Sequence, residues 1–248
     1  VTPAVTPAVT PAGGPLVLLP GTGCDSGQFH HQAAALADAF EVHPLQLPGH
    51  RGEPPAGDGG LAAVAEAVAE RIARLAPGGG ASVVGHSAGG VVALLAAVRH
   101  PGLVARLVLV DSNVPVTEDA VRHKAERAAA VQGPQWRRVL EESMRAAWGP
   151  RLPVLRERVV AGVVATDEAA VRPLWADVLA LDPRPPLAAL RVPALHVRSS
   201  RDVDGAALAA LNPLLGSADL RPLAAGHWPQ LTEPAAVTAV LREFLAGG

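Results

Sequence analysis

From Pro15 onward the chain alternates between short apolar runs of strand length and longer segments with helical spacing. Few architectures accommodate that pattern. Leu16–Leu19, Val42–Leu47, Ser82–Gly85 and Leu103–Val110 read as strands, and Phe29–Phe40 and Gly89–Arg99 as helices between them. Leu61, Val64, Val68, Ile72 and Leu75 recur at helical spacing, so 61–75 is an amphipathic helix, ended by Pro77-Gly78-Gly79-Gly80. Strands that alternate with helices predict a parallel sheet covered on both faces.

The alternation stops at Asp111 and resumes at Pro193. Between them, prolines at 134, 150, 153, 173 and 183 divide a charged stretch that holds Trp136, Trp148 and Trp175. This stretch reads as an insertion of about four helices. Beyond it, Ala194–Arg198 is a strand, Ala206–Leu211 a helix and Asp219–Leu223 a strand. A last helix carries Val237, Val240, Leu241, Phe244 and Leu245 on one face, with Pro234 in its first turn, where a missing N–H costs nothing. The expected organisation is a proline-rich arm over 1–14, a core from 15–112 and 189–248, and a helical cap over 113–188. Within the arm, Val-Thr-Pro-Ala recurs with prolines at 3, 7 and 11, which favours an extended passive tail.

Composition narrows the function classes. The chain has 248 residues, 49% of them hydrophobic and 18% charged, which allows a large core. A formal net charge of −2 gives no reason to expect nucleic acid or an acidic membrane as partner. Cys24 is the only cysteine, so an internal disulfide and a four-cysteine zinc site are excluded. The longest apolar stretch, around Val91–Val98, is too short to span a bilayer, and the N-terminus lacks the basic residue of a secretory signal. The expectation is a soluble cytoplasmic protein without cofactor or metal.

The chemistry is concentrated in Gly85-His86-Ser87-Ala88-Gly89, which lies between an apolar strand and an apolar helix. A serine in a sharp strand-to-helix turn adopts strained backbone angles, and a side chain two residues before or after it would collide with the turn. Gly85 and Gly89 meet that requirement. The following helix aims its N-terminus at the serine, which favours developing negative charge. His86 reads as a packing residue that points away from the site, and Cys24 as a small packing residue.

At this point the chain resembles the α/β-hydrolase superfamily, in particular its cap-bearing esterase, lactonase and C–C-bond hydrolase branch. Four blocks carry the resemblance: Val17-Leu18-Leu19-Pro20-Gly21-Thr22-Gly23, Leu47-Pro48-Gly49-His50-Arg51-Gly52, the segment around Ser87, and Gly226-His227-Trp228 with Glu233-Pro234. The resemblance implies Ser87 as nucleophile and His227 as its base. It places the acid at a strand end: Asp202 is the first choice, with Asp111 and Asp204 as alternatives. Backbone N–H groups of Thr22 and Ala88 would form the oxyanion hole. Pro20-Gly21 replaces the His-Gly that relatives often carry there. Relatives also often begin with an antiparallel hairpin, for which the residues before Pro15 leave no room, so the sheet is expected to be trimmed to about six parallel strands, with the cap inserted after the sixth family strand.

The expected reaction is hydrolysis of an ester or lactone of a small apolar substrate through an acyl-enzyme. The tryptophans of the insertion would line the pocket or hold the insertion's own core. C–C cleavage of a diketone, acyl transfer or cyclisation, and a catalytically silent binding protein are the alternatives on the same fold. A serine at position 87 argues against epoxide hydrolases and haloalkane dehalogenases, which need a carboxylate nucleophile.

Overall fold

The structure is a computed structural model that describes residues 13–247. Most of the Val-Thr-Pro-Ala arm lies outside the described residues. Gly13 and Gly14, assigned from sequence to the arm, instead open the first strand.

Six strands form one sheet: β1 (Gly13–Leu19), β2 (Phe40–Pro44), β3 (Ala81–His86), β4 (Val104–Val110), β5 (Ala194–Arg198) and β6 (Leu215–Asp219). Their order is β2-β1-β3-β4-β5-β6, and every neighbouring pair is parallel. A parallel sheet of about six strands is thus as expected. Period-two alternation sends successive side chains of β1 to opposite faces. Val17 and Leu19 join Val83, Leu107 and Leu109 under α2 (Leu61–Leu75) and α3 (Ala88–Arg99). Leu16 and Leu18 join Val84, Val108 and Val110 under α1 (His30–Leu36) and the C-terminal helix Pro234–Ala246, which contributes Val237, Leu241 and Leu245.

Two strands sit away from their expected positions. The second lies at 40–44 rather than 42–47. The last lies at 215–219 rather than 219–223, because Pro222 lacks the N–H that a ladder needs and residues 221–223 form a short 3-10 turn. The insertion between β4 and β5 holds five helices, not four: α4 (Glu118–Gln132), α5 (Trp136–Ala147), α6 (Pro153–Val164), α7 (Glu168–Ala180) and the short α8 (Arg184–Ala189). Trp136, Trp148 and Trp175 pack with Leu140, Val163 and Leu179 into a core that also takes in Cys24 and Trp228 from the sheet domain. No helix among the described residues is long and apolar enough to cross a membrane.

Candidate active site

The parallel strands all end on one side of the sheet, and the reactive side chains collect at those ends. Ser87 follows β3 with φ 53° and ψ −120°, a left-handed conformation that a non-glycine residue adopts only when the surroundings enforce it. The enforcement is local. A Cβ on Gly85 would overlap the backbone of Gly89 and Gly90, and one on Gly89 would overlap the carbonyls of Leu19 and Pro20. The Ser87 N–H donates to the Val110 carbonyl at 2.9 Å, which ties the turn to β4. The steric reading of the two glycines is therefore visible atom by atom.

His227 lies in the loop before the last helices. Its loop is clasped from two sides. The His227 N–H donates to the Ala147 carbonyl at the end of α5, at 2.7 Å. Gly226 has φ 69° and presses so closely on the Trp148 carbonyl that no side chain fits. The ring then bridges two partners. Nε2 accepts the Ser87 hydroxyl at 3.0 Å, and Nδ1 donates to Asp111 Oδ2 at 2.7 Å. The carboxylate fixes the tautomer: an Nδ1–H facing Asp111 leaves Nε2 free to accept a proton from Ser87.

Asp111 follows β4 with φ 45° and is fully buried. Its Oδ1 accepts the backbone N–H groups of Ser199, Ser200 and Arg201 at 2.8, 2.7 and 3.0 Å, and its Oδ2 also accepts the Ser200 hydroxyl. Burial opposes ionisation of Asp111. The hydrogen bond and charge of His227, the Ser200 hydroxyl and the Arg201 charge outweigh it and hold the carboxyl below its usual range. For His227, burial and the Arg201 charge win over Asp111, and the imidazole lies below its ordinary value, so it is neutral at pH 7.

Asp202, the first choice for the acid from sequence, is not at His227. Its side chain is 94% exposed and accepts from Arg221 at 2.8 Å. Asp204 accepts the Ala206 N–H at 2.9 Å and caps α9 (Gly205–Leu211). The structure therefore brings Ser87, His227 and Asp111 together and leaves the other two carboxylates outside.

Thr22 and Ala88 both line the same cavity as Ser87, and among the described residues neither N–H meets a protein acceptor. Cys24 also lines it. Burial pushes its thiol up to about 11, which keeps it protonated and unreactive. Sequence reasoning missed part of the role of His86. It is a packing residue, as read from sequence, fully buried and tilted against the His227 ring with centroids 4.7 Å apart, but it also borders the cavity and donates from Nε2 to the His227 carbonyl at 2.6 Å. Its position beside the serine was the one signal available. Of the insertion's tryptophans, Trp175 faces the cavity with Trp228, whereas Trp136 and Trp148 are buried in the packing beneath. The cavity has a volume of about 710 Å³, and Met144, Val178 and Leu179 supply its apolar wall. Among the described residues no group of three or more His, Cys, Asp or Glu is placed to hold a metal ion.

Comparison with known proteins adds a family. A profile of the alpha/beta hydrolase family matches residues 16–240. A pimeloyl-[acyl-carrier protein] methyl ester esterase from Chromobacterium violaceum is 37% identical over 122 residues, which are 48% of this chain and 45% of that protein. The match thus spans less than half the length of this curated relative. A hydrolase from Pseudomonas aeruginosa PA01 superposes with a TM-score of 0.79 at 25% identity, covering 97% of this chain and 92% of that one. The enol-lactonase from Burkholderia xenovorans LB400 superposes with a TM-score of 0.74 at 22% identity, covering 94% and 92%, a likeness of fold.

Proposed function

Because this chain belongs to the alpha/beta hydrolase family, we propose that it is a serine hydrolase that cleaves a carboxylic ester, open-chain or lactone, through an acyl-enzyme. The observation that carries this reading is the unbroken line of hydrogen bonds from Ser87 through His227 to Asp111. In that line Ser87 is the nucleophile, His227 the base and Asp111, not Asp202, the acid.

The steps follow from the geometry. As the Ser87 oxygen attacks the ester carbonyl, its proton passes to His227 Nε2. Asp111 stabilises the imidazolium that forms and does not itself take the proton, because its oxygens are already held by five donors. The N–H groups of Thr22 and Ala88 meet the oxygen on which charge develops, at the positive end of α3. His227 then protonates the leaving alcohol, which departs and leaves Ser87 acylated. Water, deprotonated by the same imidazole, releases the acid and restores Ser87. The helices inserted between β4 and β5 act as a lid over the serine, and the apolar wall of Met144, Trp175, Val178 and Leu179 takes the acyl group. The sequence relatives named as methyl ester esterases support an ester over a diketone or an acyl-transfer acceptor.

Replacing Ser87 with alanine tests the reading. Hydrolysis of p-nitrophenyl hexanoate is expected to fall by about a million-fold, toward the rate left by binding and the oxyanion hole alone, with the circular dichroism spectrum unchanged. A fluorophosphonate probe should label the wild type on the peptide that contains Ser87 and leave the variant unlabelled. Retained turnover or labelling in Ser87→Ala would end the assignment.

A further inference from the structure

The cavity contains a charge that takes part in the steps above only through its effect on Asp111 and His227. Arg201 follows β5, and its backbone N–H donates to Asp111 Oδ1, which pins the residue beside the proposed acid. Its side chain lines the cavity together with Ser87 and His227. Most arginines near carboxylates in this protein pair with them: Arg71 with Glu53, Arg172 with Glu168, Arg198 with Asp219, Arg221 with Asp202 and Asp219. Arg201 has no ion-pair partner among the described residues, and its Nε is shielded from solvent with no hydrogen-bond acceptor. A guanidinium that borders a reactive cavity with no protein acceptor is left for water or a ligand to satisfy.

Asp111 does not fill that role. Both of its oxygens are occupied by His227, Ser200 and three backbone N–H groups, and it forms no ion pair with the Arg201 guanidinium. A second unmatched cation stands at the mouth. Arg127, on α4, lines the same cavity, and among the described residues its only side-chain partner is the neutral Ser143 hydroxyl at 3.3 Å. Glu142 also borders the cavity, but it is matched by Arg138 at 3.1 Å on the exposed side of α5. The balance of charge facing the cavity is therefore positive, above a wall that is otherwise apolar.

We propose that Arg201, aided by Arg127, selects esters whose acyl chain carries a carboxylate at the end away from the scissile bond. The planar guanidinium offers paired N–H groups that match a carboxylate, and the shielded site strengthens the pairing. The apolar wall would take the methylene chain between the two ends. This inference rests on the hydrolase reading for its kinetics but not for its binding arm.

The test compares mono-p-nitrophenyl adipate, which ends in a carboxylate, with the neutral p-nitrophenyl hexanoate of equal chain length. Wild-type kcat/KM should favour the adipate by about tenfold or more. In Arg201→Gln the adipate KM should rise by about tenfold while the hexanoate KM stays put, and any change in kcat, felt through Asp111 and His227, should be the same for both esters. Arg201→Lys should recover part of the preference. Equal loss of kcat on both esters in Arg201→Gln with neither KM changed would mean that Arg201 only balances the Asp111 charge, and would overturn the proposal. So would a wild type that prefers the hexanoate. Binding is read separately on the wild type by calorimetry with adipate and with its uncharged diamide, which also covers a variant that fails to fold. Adipate should bind and the diamide should not; equal binding of the two would overturn the proposal. Turnover of neither ester together with selective adipate binding would sink the hydrolase reading and leave the anion site standing.

Discussion

Asp111 and Asp202 follow neighbouring parallel strands and end on the same side of the sheet, yet their surroundings differ completely. Asp111 is fully buried and held by five donors; the Asp202 side chain is 94% exposed and faces Arg221. The difference arises in the backbone. The Asp111 N–H donates to the Val197 carbonyl on β5 at 2.8 Å, and the left-handed turn at 111 sends the carboxylate beneath the loop that follows β5. That loop turns its N–H groups at 199, 200 and 201 inward to receive it. The segment read from sequence as the bearer of the acid is instead its cradle. Residue type and strand end do not make a carboxylate useful at an imidazole. Depth and converging donors do.

The largest expected effect breaks the comparison directly. In Asp111→Asn the side-chain oxygen can keep the three backbone N–H bonds, so the fold is retained, but an amide NH2 then faces His227 Nδ1. The imidazole would have to accept there and carry its proton on Nε2, where it can no longer take the Ser87 proton. A fall in kcat of about 10⁴-fold is expected for ester hydrolysis, with KM little changed. Activity within tenfold of wild type would remove Asp111 from the mechanism.

The depth of this corner also has an acid-titration consequence. His86, His196 and His227 are all buried around Asp111 and Arg201. Burial brings His86 down to about 3, with the His227 charge adding to it, and His196 down to about 4 against the pull of Asp111. His227 is lowered as well. An unfolded chain takes up these protons near pH 6.5, whereas in the folded chain His196 stays neutral until about pH 4 and His86 until about pH 3. The unfolded state therefore binds more protons in that window, and stability falls as pH falls through it. The slope is about 1.4 kcal/mol per pH unit for each of His86 and His196. Stability is full above pH 6.5. Urea unfolding at pH 5 and pH 7 should differ by several kcal/mol, and replacing His196 with glutamine should flatten the slope by about one proton. A pH-independent unfolding free energy over that range would contradict the buried, neutral state of these rings. The acid limb of kcat/KM should likewise fall below pH 6.5, because it reports the lowered His227.

What the sequence disclosed and what it hid divide along the same physical line. The elbow was legible because its spacing is local: Gly85 and Gly89 lie two residues either side of Ser87, a Cβ at 85 meeting the turn itself and one at 89 the end of β1. The helix over 61–75 was legible because one apolar stripe specifies it, and the parallel sheet because alternation does. His227 could be picked out from nine histidines by its place after the last strand. The acid could not be, since the choice depends on how a turn at 111 meets a loop at 199–201 across β5. The same holds for His86, whose partner is the carbonyl of residue 227, and for Arg201, whose distinction is the absence of a counter-charge in three dimensions. The last strand was displaced in sequence because it is an edge strand: Leu215 is its only fully buried residue, so it leaves a faint apolar pattern.

The smallest effect sharpens the comparison from the other side. Asp202 meets Arg221 at the surface, and Arg221 keeps Asp219 at 2.7 Å when Asp202 is changed. An exposed pair of this kind contributes little, so Asp202→Asn should move the urea midpoint only slightly and leave kcat and KM within about twofold of wild type. The informative measurement is the double variant. If the loop after β5 could swing Asp202 to the imidazole, the residual activity of Asp111→Asn would depend on it, and Asp111→Asn/Asp202→Asn would fall further. The three N–H groups that the loop directs at position 111 hold it against that movement. The double variant should therefore match Asp111→Asn alone, and a further tenfold loss would show that the two strand ends exchange roles.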